Sequence, residues 1–468
     1  MALSTASKMK QGCRRIVYGS RSSSYYGNGG PPAADDLDNA DEGANEQSTL
    51  LGSRRTSYRS EVGETGWKKY PRHVLYVTKA TLFSNYVNVL LVFVPLGIVS
   101  GALGWNATVV FVLNFLAIVP LASLLSFATE ELAAKLGQTI GGLMNATFGN
   151  AVELIVSIVA LNQNEIRIVQ ASMIGSILSN LLLVLGTCFL VGGWGRVQQT
   201  FNMTAASTMS SLLAVASNSL IIPAALYAAL SKSSSSDTEE QILILSHGTA
   251  LIILVLYVMY LYFQLRSHAH LFDEEESAED EAVNGEPVQK DEEEHILSPI
   301  SAGVALVVVT VMVAVCAEFL VDSIAEVVET THMSKTFIGL ILLPIVGNAA
   351  EHVTAVVVAH KDKMDLAIGV AIGSSLQIAL LVTPFLVILG WIMDRQMTLH
   401  FETFETVVFF LSTTTVNYLI QDGKSNYLEG AMLIGTYVII ALAFFVYPDD
   451  ADDGGAFVLT SLKGMVGM

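Results

Sequence analysis

Two short stretches of nearly identical sequence decide the fold: Gly149-Asn-Ala-Val-Glu153 and Gly347-Asn-Ala-Ala-Glu351. They lie 198 residues apart, and the same offset holds without gaps between residues 131–182 and 329–380. Charged positions keep this register as well as apolar ones, which a chance match would not do. The chain therefore contains an internal duplication, and each copy carries one Gly-Asn-x-x-Glu motif.

The composition excludes a set of soluble domains. The 468 residues are 52% hydrophobic and only 14% charged, and their mean hydropathy is +0.54, whereas soluble domains carry about 25% charged residues. A net charge of −19 argues against a nucleic-acid partner. Three cysteines are too few for a disulfide framework. These numbers predict a polytopic membrane protein, with the lipid bilayer as its surroundings.

Eleven apolar segments are long enough to cross a bilayer, which needs about 20 residues per helix. Because backbone polar groups must be satisfied inside lipid, all of them are predicted to be helices. Their approximate limits are 86–105, 108–128, 137–161, 166–192, 204–230, 243–265, 298–323, 336–360, 364–391, 403–420 and 428–447. The segment 403–420 is the weakest, since two acids lie near its start.

The duplication predicts an inverted arrangement. The two motifs fall in the third and eighth segments, an odd number of crossings apart, so the copies run through the membrane in opposite directions. Residues 1–80 hold 12 of the 24 Lys and Arg residues, which predicts a cytosolic N-terminus. The polar composition of this tail is typical of disorder.

Glu153 and Glu351 are the candidate functional residues. Each is the single formal charge within its segment, in residues 137–161 and 337–359. A carboxylate at this depth is costly unless it is paired, hydrated or protonated. The preceding glycine permits a helix break, and a break frees carbonyl oxygens as ligands. One such glutamate alone could be a packed, protonated hydrogen-bond donor, but two at a fixed offset favour a site.

Neighbouring polar residues complete an oxygen-rich constellation. The candidate supporting oxygens belong to Gly149, Asn150, Ser176, Ser179 and Asn180 in the first copy, and to Gly347, Asn348, Ser374 and Gln377 in the second. Calcium takes 6–8 oxygen ligands in irregular geometry, so the pattern predicts a calcium site with Glu153 and Glu351 as the metal-binding carboxylates. Thiolates are absent nearby, which disfavours zinc and copper.

His352 and the acidic segment 273–294 each allow two interpretations. His352 either packs or makes an interhelical hydrogen bond, or it modulates Glu351 and relays protons. The segment 273–294 holds 12 acids and one lysine. It is either a solvated linker or a helix that attracts calcium at the cytosolic mouth. Its first acids are Asp273, Glu274, Glu275, Glu276, Glu279, Asp280 and Glu281.

The paired motifs, together with the Gly-Ser-Ser-Leu-Gln run at 373–377, resemble the calcium/cation–proton exchanger family. The acidic segment and the long tail are similar to those of fungal vacuolar calcium/proton exchangers. The resemblance covers about residues 85–447. It implies antiport of cytosolic Ca²⁺ into an acidic vacuole against protons by alternating access, with no cofactor. It leaves open whether Mn²⁺ is also carried and whether the chain forms homo-oligomers.

The resemblance also implies the domain plan of an all-α polytopic membrane protein with eleven helices. A cytosolic tail (1–80) precedes an extra helix (86–105), and two inverted five-helix repeats follow at 108–265 and 298–447. An acidic cytosolic segment (266–297) joins them, and a C-terminal tail occupies 448–468. The chain is predicted to sit in the vacuolar membrane.

Three rival functions remain. A sodium/calcium exchanger also has inverted repeats, although the Glu351-His352 pair and the acidic segment favour protons. A cation channel is disfavoured because no ring of pore-lining charges is evident. An intramembrane enzyme is disfavoured because no Ser/His or Cys/His pairing and no His-Glu-x-x-His motif stands out.

Overall fold

The structure is a computed structural model that describes residues 86–230, 235–268, 297–331 and 333–447. Almost all of these residues are helical. The predicted tails at 1–80 and 448–468 lie outside the described residues. So do the acids of the predicted loop: Asp273, Glu274, Glu275, Glu276, Glu279, Asp280 and Glu281.

Helices lie at every one of the eleven predicted segments. They are α1 (Val87–Ala102), α2 (Ala107–Leu136), α3 (Gln138–Phe148), α4 (Ala151–Asn162), α5 (Ile166–Gly192), α6 (Met203–Leu230), α7 (Ser235–Tyr262), α8 (Pro299–Thr331), α9 (Lys335–Gly347), α10 (Ala349–His360), α11 (Met364–Ile392), α12 (Thr403–Leu419) and α13 (Tyr427–Val446). Two short strands, β1 (Gln199–Thr200) and β2 (Lys424–Ser425), pair antiparallel.

The described residues confirm a nearly all-helical protein with many apolar spans. Seven of them are long and apolar enough to cross a membrane, and two bent pairs raise this number to nine if each pair is one span. The predicted segments 86–105 and 403–420 correspond to shorter helices, α1 and the 17-residue α12. The count of eleven crossings therefore stays a prediction.

Both bent pairs break at the duplicated motif. The axes of α3 and α4 differ by 47° across Gly149 and Asn150, and those of α9 and α10 by 56° at Asn348. Each break ends one helix and starts another inside the bundle, as the glycine in the motif permits. Wide π-helical turns also recur in both copies, at Ser179–Val184 in α5 and Ile378–Val382 in α11. Such turns often accompany functional sites.

The two halves meet where small residues let backbones touch. A Cβ atom on Gly175 of α5 would collide with the backbone of Leu340 in α9, and one on Gly339 would come within 2.9 Å of the Ala171 side chain. Close approach of this kind is how helices associate in lipid, where apolar side chains gain little by burial. It brings α5 and α9, one from each half, into direct contact.

An ion pair anchors the N-terminus of α12, the helix that the sequence predicted most weakly. Its Glu405 is fully buried and lies 2.7 Å from a guanidinium nitrogen of Arg167 at the start of α5. The same carboxylate accepts a hydrogen bond from the backbone N–H of Glu402 and so caps the helix. The two acids that weaken the apolar pattern of this segment therefore anchor its N-terminus.

The bundle has two ends that matter for the site. At the acidic-loop end, the Leu297 amide donates to Glu131 near the end of α2 (2.9 Å), and Leu265 lies beside Gly142 of α3. At the opposite end, the short α4–α5 connection is tied by an ion pair between Lys335 and Glu165 (2.9 Å). His268 and Leu297, the described residues on either side of 269–296, both lie at the acidic-loop end.

Gly175→Ala tests the contact between the halves. The new methyl group must displace the α9 backbone, so we expect a destabilisation of roughly 1–3 kcal/mol. Thermal unfolding of the purified protein measures it. Gly373→Ala is the matched control, because it is the equivalent glycine of the second copy and nothing lies within 4 Å of its added Cβ. An equal fall in Tm for both variants would contradict the packing described.

Candidate functional site

Glu153 and Glu351 occupy equivalent places, in the first turns of α4 and α10. Because both helices begin at a break inside the bundle, their N-terminal amides face the interior, where they favour negative charge. The preceding helices, α3 and α9, end at the same breaks. In their last turns the Asn145 carbonyl accepts from the Gly149 amide and the Pro344 carbonyl from the Asn348 amide, and the carbonyl groups that follow have no partner within their own helices.

Each glutamate faces the motif glycine of the other copy. A Cβ atom built on Gly347 would lie 2.5 Å from Glu153 Oε1, and one built on Gly149 would lie 3.8 Å from Glu351 Oε1. Gly347 is thus required so that the Glu153 carboxylate can approach the backbone of the opposite half, whereas the distance at Gly149 is an ordinary van der Waals contact. The structure brings the two predicted carboxylates together across the interface of the duplicated segments.

The surroundings of the two carboxylates differ. Glu153 is only 5% exposed. Glu351 is half-buried and lines a cavity of about 210 Å³ together with Ser374 and Gln377. Other cavity-lining residues, Glu130 among them, come from the last turns of α2, so this cavity extends toward the acidic-loop end.

A chain of side-chain hydrogen bonds crosses the interface beside the carboxylates. The Asn180 amide donates to Ser374 Oγ (2.9 Å), and the Ser374 hydroxyl donates to Asn150 Oδ1 (2.9 Å). The Asn150 amide in turn donates to Gln377 Oε1 at 2.6 Å. On the other side, the Asn348 amide donates to the carbonyl of Ser176 (3.3 Å). Four of the predicted supporting residues therefore form one connected network.

Several buried oxygens at this place have no hydrogen-bond partner among the described residues. They are Glu153 Oε2, Glu351 Oε2, Asn348 Oδ1, Asn180 Oδ1 and Ser176 Oγ. Unsatisfied buried acceptors are rare because each costs about 1–3 kcal/mol. Their accumulation here, with two carboxylates among them, suits an oxygen-coordinated cation. Within the described ranges no cluster of three or more His, Cys, Asp or Glu side chains exists, so neutral oxygens must supply the remaining ligands.

Two predicted site residues lie at the margin. Ser179 is buried beside the Tyr437 hydroxyl of α13, so it is directed toward a neighbouring helix. His352 is half-buried next to Glu351 and lines neither the cavity at Glu153 nor the one at Glu351.

The cavity at Glu351 contains residues that the motif analysis did not single out. Ser126, Thr129 and Glu130 of α2 and Asn145 of α3 line it, and the Ser126 hydroxyl donates to Glu130 Oε1 (3.0 Å). The positions 126, 129 and 130 are spaced i, i+3 and i+4, which places them on one helix face. Such a polar stripe along an apolar helix is the sequence pattern from which this side of the cavity could have been predicted.

The comparisons with known proteins agree with this architecture. The sodium/calcium exchanger protein family matches residues 106–266 and 301–446. The chain belongs to this family. A vacuolar calcium ion transporter of Schizosaccharomyces pombe is 51% identical over 376 residues, which is 80% of this chain and 88% of that protein. A vacuolar cation/proton exchanger 2 of Oryza sativa is 43% identical over 385 residues, 81% and 85% of the respective chains.

The chain is also similar to a solved structure. Native YfkE is 37% identical, with a TM-score of 0.65, and the match covers 77% of this chain and 100% of that one. A selenium-substituted form of the same protein is described as a Ca²⁺/H⁺ antiporter. The resemblance to calcium/cation–proton exchangers that the paired motifs indicated is confirmed.

Asn150→Ala tests the interhelical network. It removes an acceptor from Ser374 and a donor from Gln377, so we expect a loss of about 1–3 kcal/mol in unfolding free energy, seen as a lower Tm. Ser375→Ala is the matched control, because the buried Ser375 hydroxyl donates only to its own helix, at Ala371 O. If the Asn150 variant melted no lower than the control, the network would be irrelevant to stability.

Proposed function

We propose that this chain is a secondary active antiporter that moves cytosolic Ca²⁺ into the vacuole in exchange for luminal H⁺. It acts as a transporter and not as an enzyme, in a multi-pass arrangement with a cytosolic N-terminus. The observation that carries the proposal is the pair of glutamates, each held against the motif glycine of the other half, with unpartnered oxygens around them. The names of the relatives, vacuolar calcium and cation/proton exchangers, support the choice of ions and membrane.

Charge balance explains how one site exchanges two kinds of ion. Two carboxylates neutralise one Ca²⁺, and the same two carboxylates accept two protons. Both loads use the same oxygens of Glu153 and Glu351, so they exclude each other. The Asn, Ser and carbonyl oxygens nearby raise the oxygen count toward the 6–8 that calcium takes. We therefore expect two protons per calcium ion from this pair.

The cost of the empty site couples the two fluxes. Two bare carboxylates close together in a region of low dielectric repel each other and lack their hydration. The site therefore changes its accessible side when it is loaded and resists doing so when it is empty. In this proposal the two inverted halves move relative to each other around the fixed glutamates, which gives alternating access.

Ca²⁺ reaches the site through the cavity at Glu351. This cavity extends toward the acidic-loop end, the end at which the segment with 12 acids leaves the described residues. We assign this end to the cytosol, in agreement with the basic N-terminal tail. The acids of 273–294 lie outside the described residues, and by their charge we expect them to raise the local concentration of divalent cations.

Calcium uptake into proteoliposomes with an acidic interior tests the proposal. Glu153→Gln and Glu351→Gln each keep the shape of the side chain and remove its charge, so we expect uptake to fall more than about 100-fold, roughly the cost of losing one charged ligand. Glu326→Gln is the matched control, because Glu326 is an exposed acid of α8 outside the site.

Sodium separates the nearest rival. Wild-type uptake that follows the pH gradient without sodium supports proton antiport. Uptake that needs a sodium gradient and ignores pH would contradict it, as would full activity in both glutamine variants. Conductive currents in the reconstituted membrane would instead indicate a channel.

Gly347→Ala tests the approach of Glu153 to the opposite half. The added methyl group would lie 2.5 Å from Glu153 Oε1, so the carboxylate must turn away. We expect calcium uptake to fall at least about tenfold, the effect of weakening one charged contact by about 1.4 kcal/mol. Gly435→Ala in α13, with nothing within 4 Å of its added Cβ and outside the cavities at Glu153 and Glu351, is the control. Unchanged uptake by the Gly347 variant would show that the close approach is dispensable.

A further inference from the structure

Helix α6 combines a polar sequence with an exposed surface. Among the seven long apolar helices of the described residues, its span Met203–Tyr227 has the lowest mean hydropathy, yet less than half of it is buried inside the protein. A polar segment that crosses a bilayer is expected to face protein or water, because lipid tails form no hydrogen bonds. The exposed surface of α6 therefore requires a partner that the described helices do not supply.

The exposed residues of α6 lie on one face of the helix. They recur every three or four positions, which is the spacing of a single helix face. On its other sides α6 packs against α7, α11 and α12. The exposed face is formed by Thr204, Ser207, Ser211, Val215, Asn218, Ile222 and Ala225.

Asn218 has an exposed side chain that makes no hydrogen bond with any described residue. Exposed hydroxyls nearby are satisfied within their own helices: Ser211 donates to the Ser207 carbonyl (2.9 Å) and Thr414 of α12 donates to the Phe410 carbonyl (2.8 Å). The Asn218 carboxamide thus presents two N–H donors and one carbonyl acceptor to its surroundings.

The position of Asn218 along α6 is close to the middle of the membrane. It lies three residues, or about 4.5 Å along a helix axis, from the midpoint of the span Met203–Tyr227. The headgroups begin about 15 Å from the midplane, half the thickness of the hydrocarbon core, so the short side chain of asparagine does not reach them. An amide without partners at this depth is costly, and the cost is removed when another protein surface covers it.

We propose that the exposed face of α6 is an interface with a second copy of this chain, in which the two Asn218 side chains hydrogen-bond to each other. A carboxamide is complementary to itself, because its N–H donates to the carbonyl of an identical group and its own carbonyl accepts in return. A two-fold axis along the membrane normal brings two parallel copies of α6 together in this way. A single asparagine at a parallel helix interface is well suited to fix register and oligomeric state.

The rest of the face is suited to close approach of two helices. Ser207, Ser211 and Ala225 are small residues, which let helix backbones come near each other in lipid. None of the residues of this face lines the cavity at Glu153 or the cavity at Glu351. Each copy therefore keeps its own site, and the dimer is independent of the proposed antiport.

Cysteine cross-linking of the full chain in proteoliposomes tests which face meets the second copy. The background is Cys13→Ser, since Cys188 and Cys316 are buried. With an oxidant present, we expect a covalent dimer for Asn218→Cys. The matched control is Ile252→Cys, which places the thiol at a similar depth on an exposed side of α7, and we expect no dimer above background there.

The contribution of the carboxamide is measured by counting photobleaching steps of chains that each carry one fluorophore, over a range of protein-to-lipid ratios. Asn218→Leu removes the hydrogen-bonded pair and keeps an apolar surface. We expect its dimer dissociation constant to rise roughly 3- to 20-fold, as for one interhelical hydrogen bond in lipid. We expect Asn218→Gln, which retains the carboxamide, to be closer to the wild type than Asn218→Leu.

A wild type that bleaches in single steps at every protein-to-lipid ratio would overturn the interface, as would equal cross-linking at positions 218 and 252. An unchanged dissociation constant in Asn218→Leu would overturn the role of Asn218. Cross-linking to a different protein in native membranes, with none between purified copies, would show another occupant and overturn the proposal. Calcium uptake by Asn218→Leu reports that the variant is folded. If the wild type lacked uptake driven by pH, the antiport proposal alone would fail.

Discussion

The arrangement depends on one electrostatic constraint: two carboxylates lie together deep in an apolar bundle, and no basic side chain of the described residues pairs with them. Ion pairs among the described residues join Arg167 to Glu402 and Glu405, Lys335 to Glu165, and Arg196 to Asp362, and these pairs lie near helix ends. The charge of Glu153 and Glu351 is therefore neutralised only by protons or cations that bind from solution. A pair in this situation is costly when bare, so its occupancy governs what the bundle can do.

The rest of the structure supports that pair. The breaks at the duplicated motif place helix N-termini beside the carboxylates and remove the side chains that would block their approach. The chain of hydrogen bonds from Asn180 through Ser374 and Asn150 to Gln377 joins residues of both halves, which fixes the oxygens around the site. Close backbone approaches at glycines, such as that of Gly175 to the backbone of Leu340, bring the two halves near enough for the carboxylates to lie together.

Much of this could be predicted from the sequence. The repeat identified both glutamates, the motif glycines and most supporting oxygens, because a charge is costly in an apolar segment and its recurrence at one fixed offset indicates a shared site. The hydropathy pattern located all the helices, but it undervalued α12, since it counts Glu405 as a penalty and does not recognise its ion pair with Arg167. Long-range pairing of this kind leaves no local signal.

The different surroundings of the two glutamates could not be predicted from the sequence. The repeat suggests equivalent glutamates, yet one is enclosed and the other opens to a cavity of about 210 Å³. That asymmetry arises from packing in one conformation, and from residues such as Ser126 and Thr129 that have no part in the motif.

The most direct test of the central claim is the number of protons released when calcium binds to the purified protein in a weakly buffered solution. The account predicts release that approaches two protons per ion at acidic pH in the wild type, one in Glu351→Gln and none in the double variant Glu153→Gln, Glu351→Gln. Calcium binding without proton release in the wild type, or undiminished release in the double variant, would contradict it.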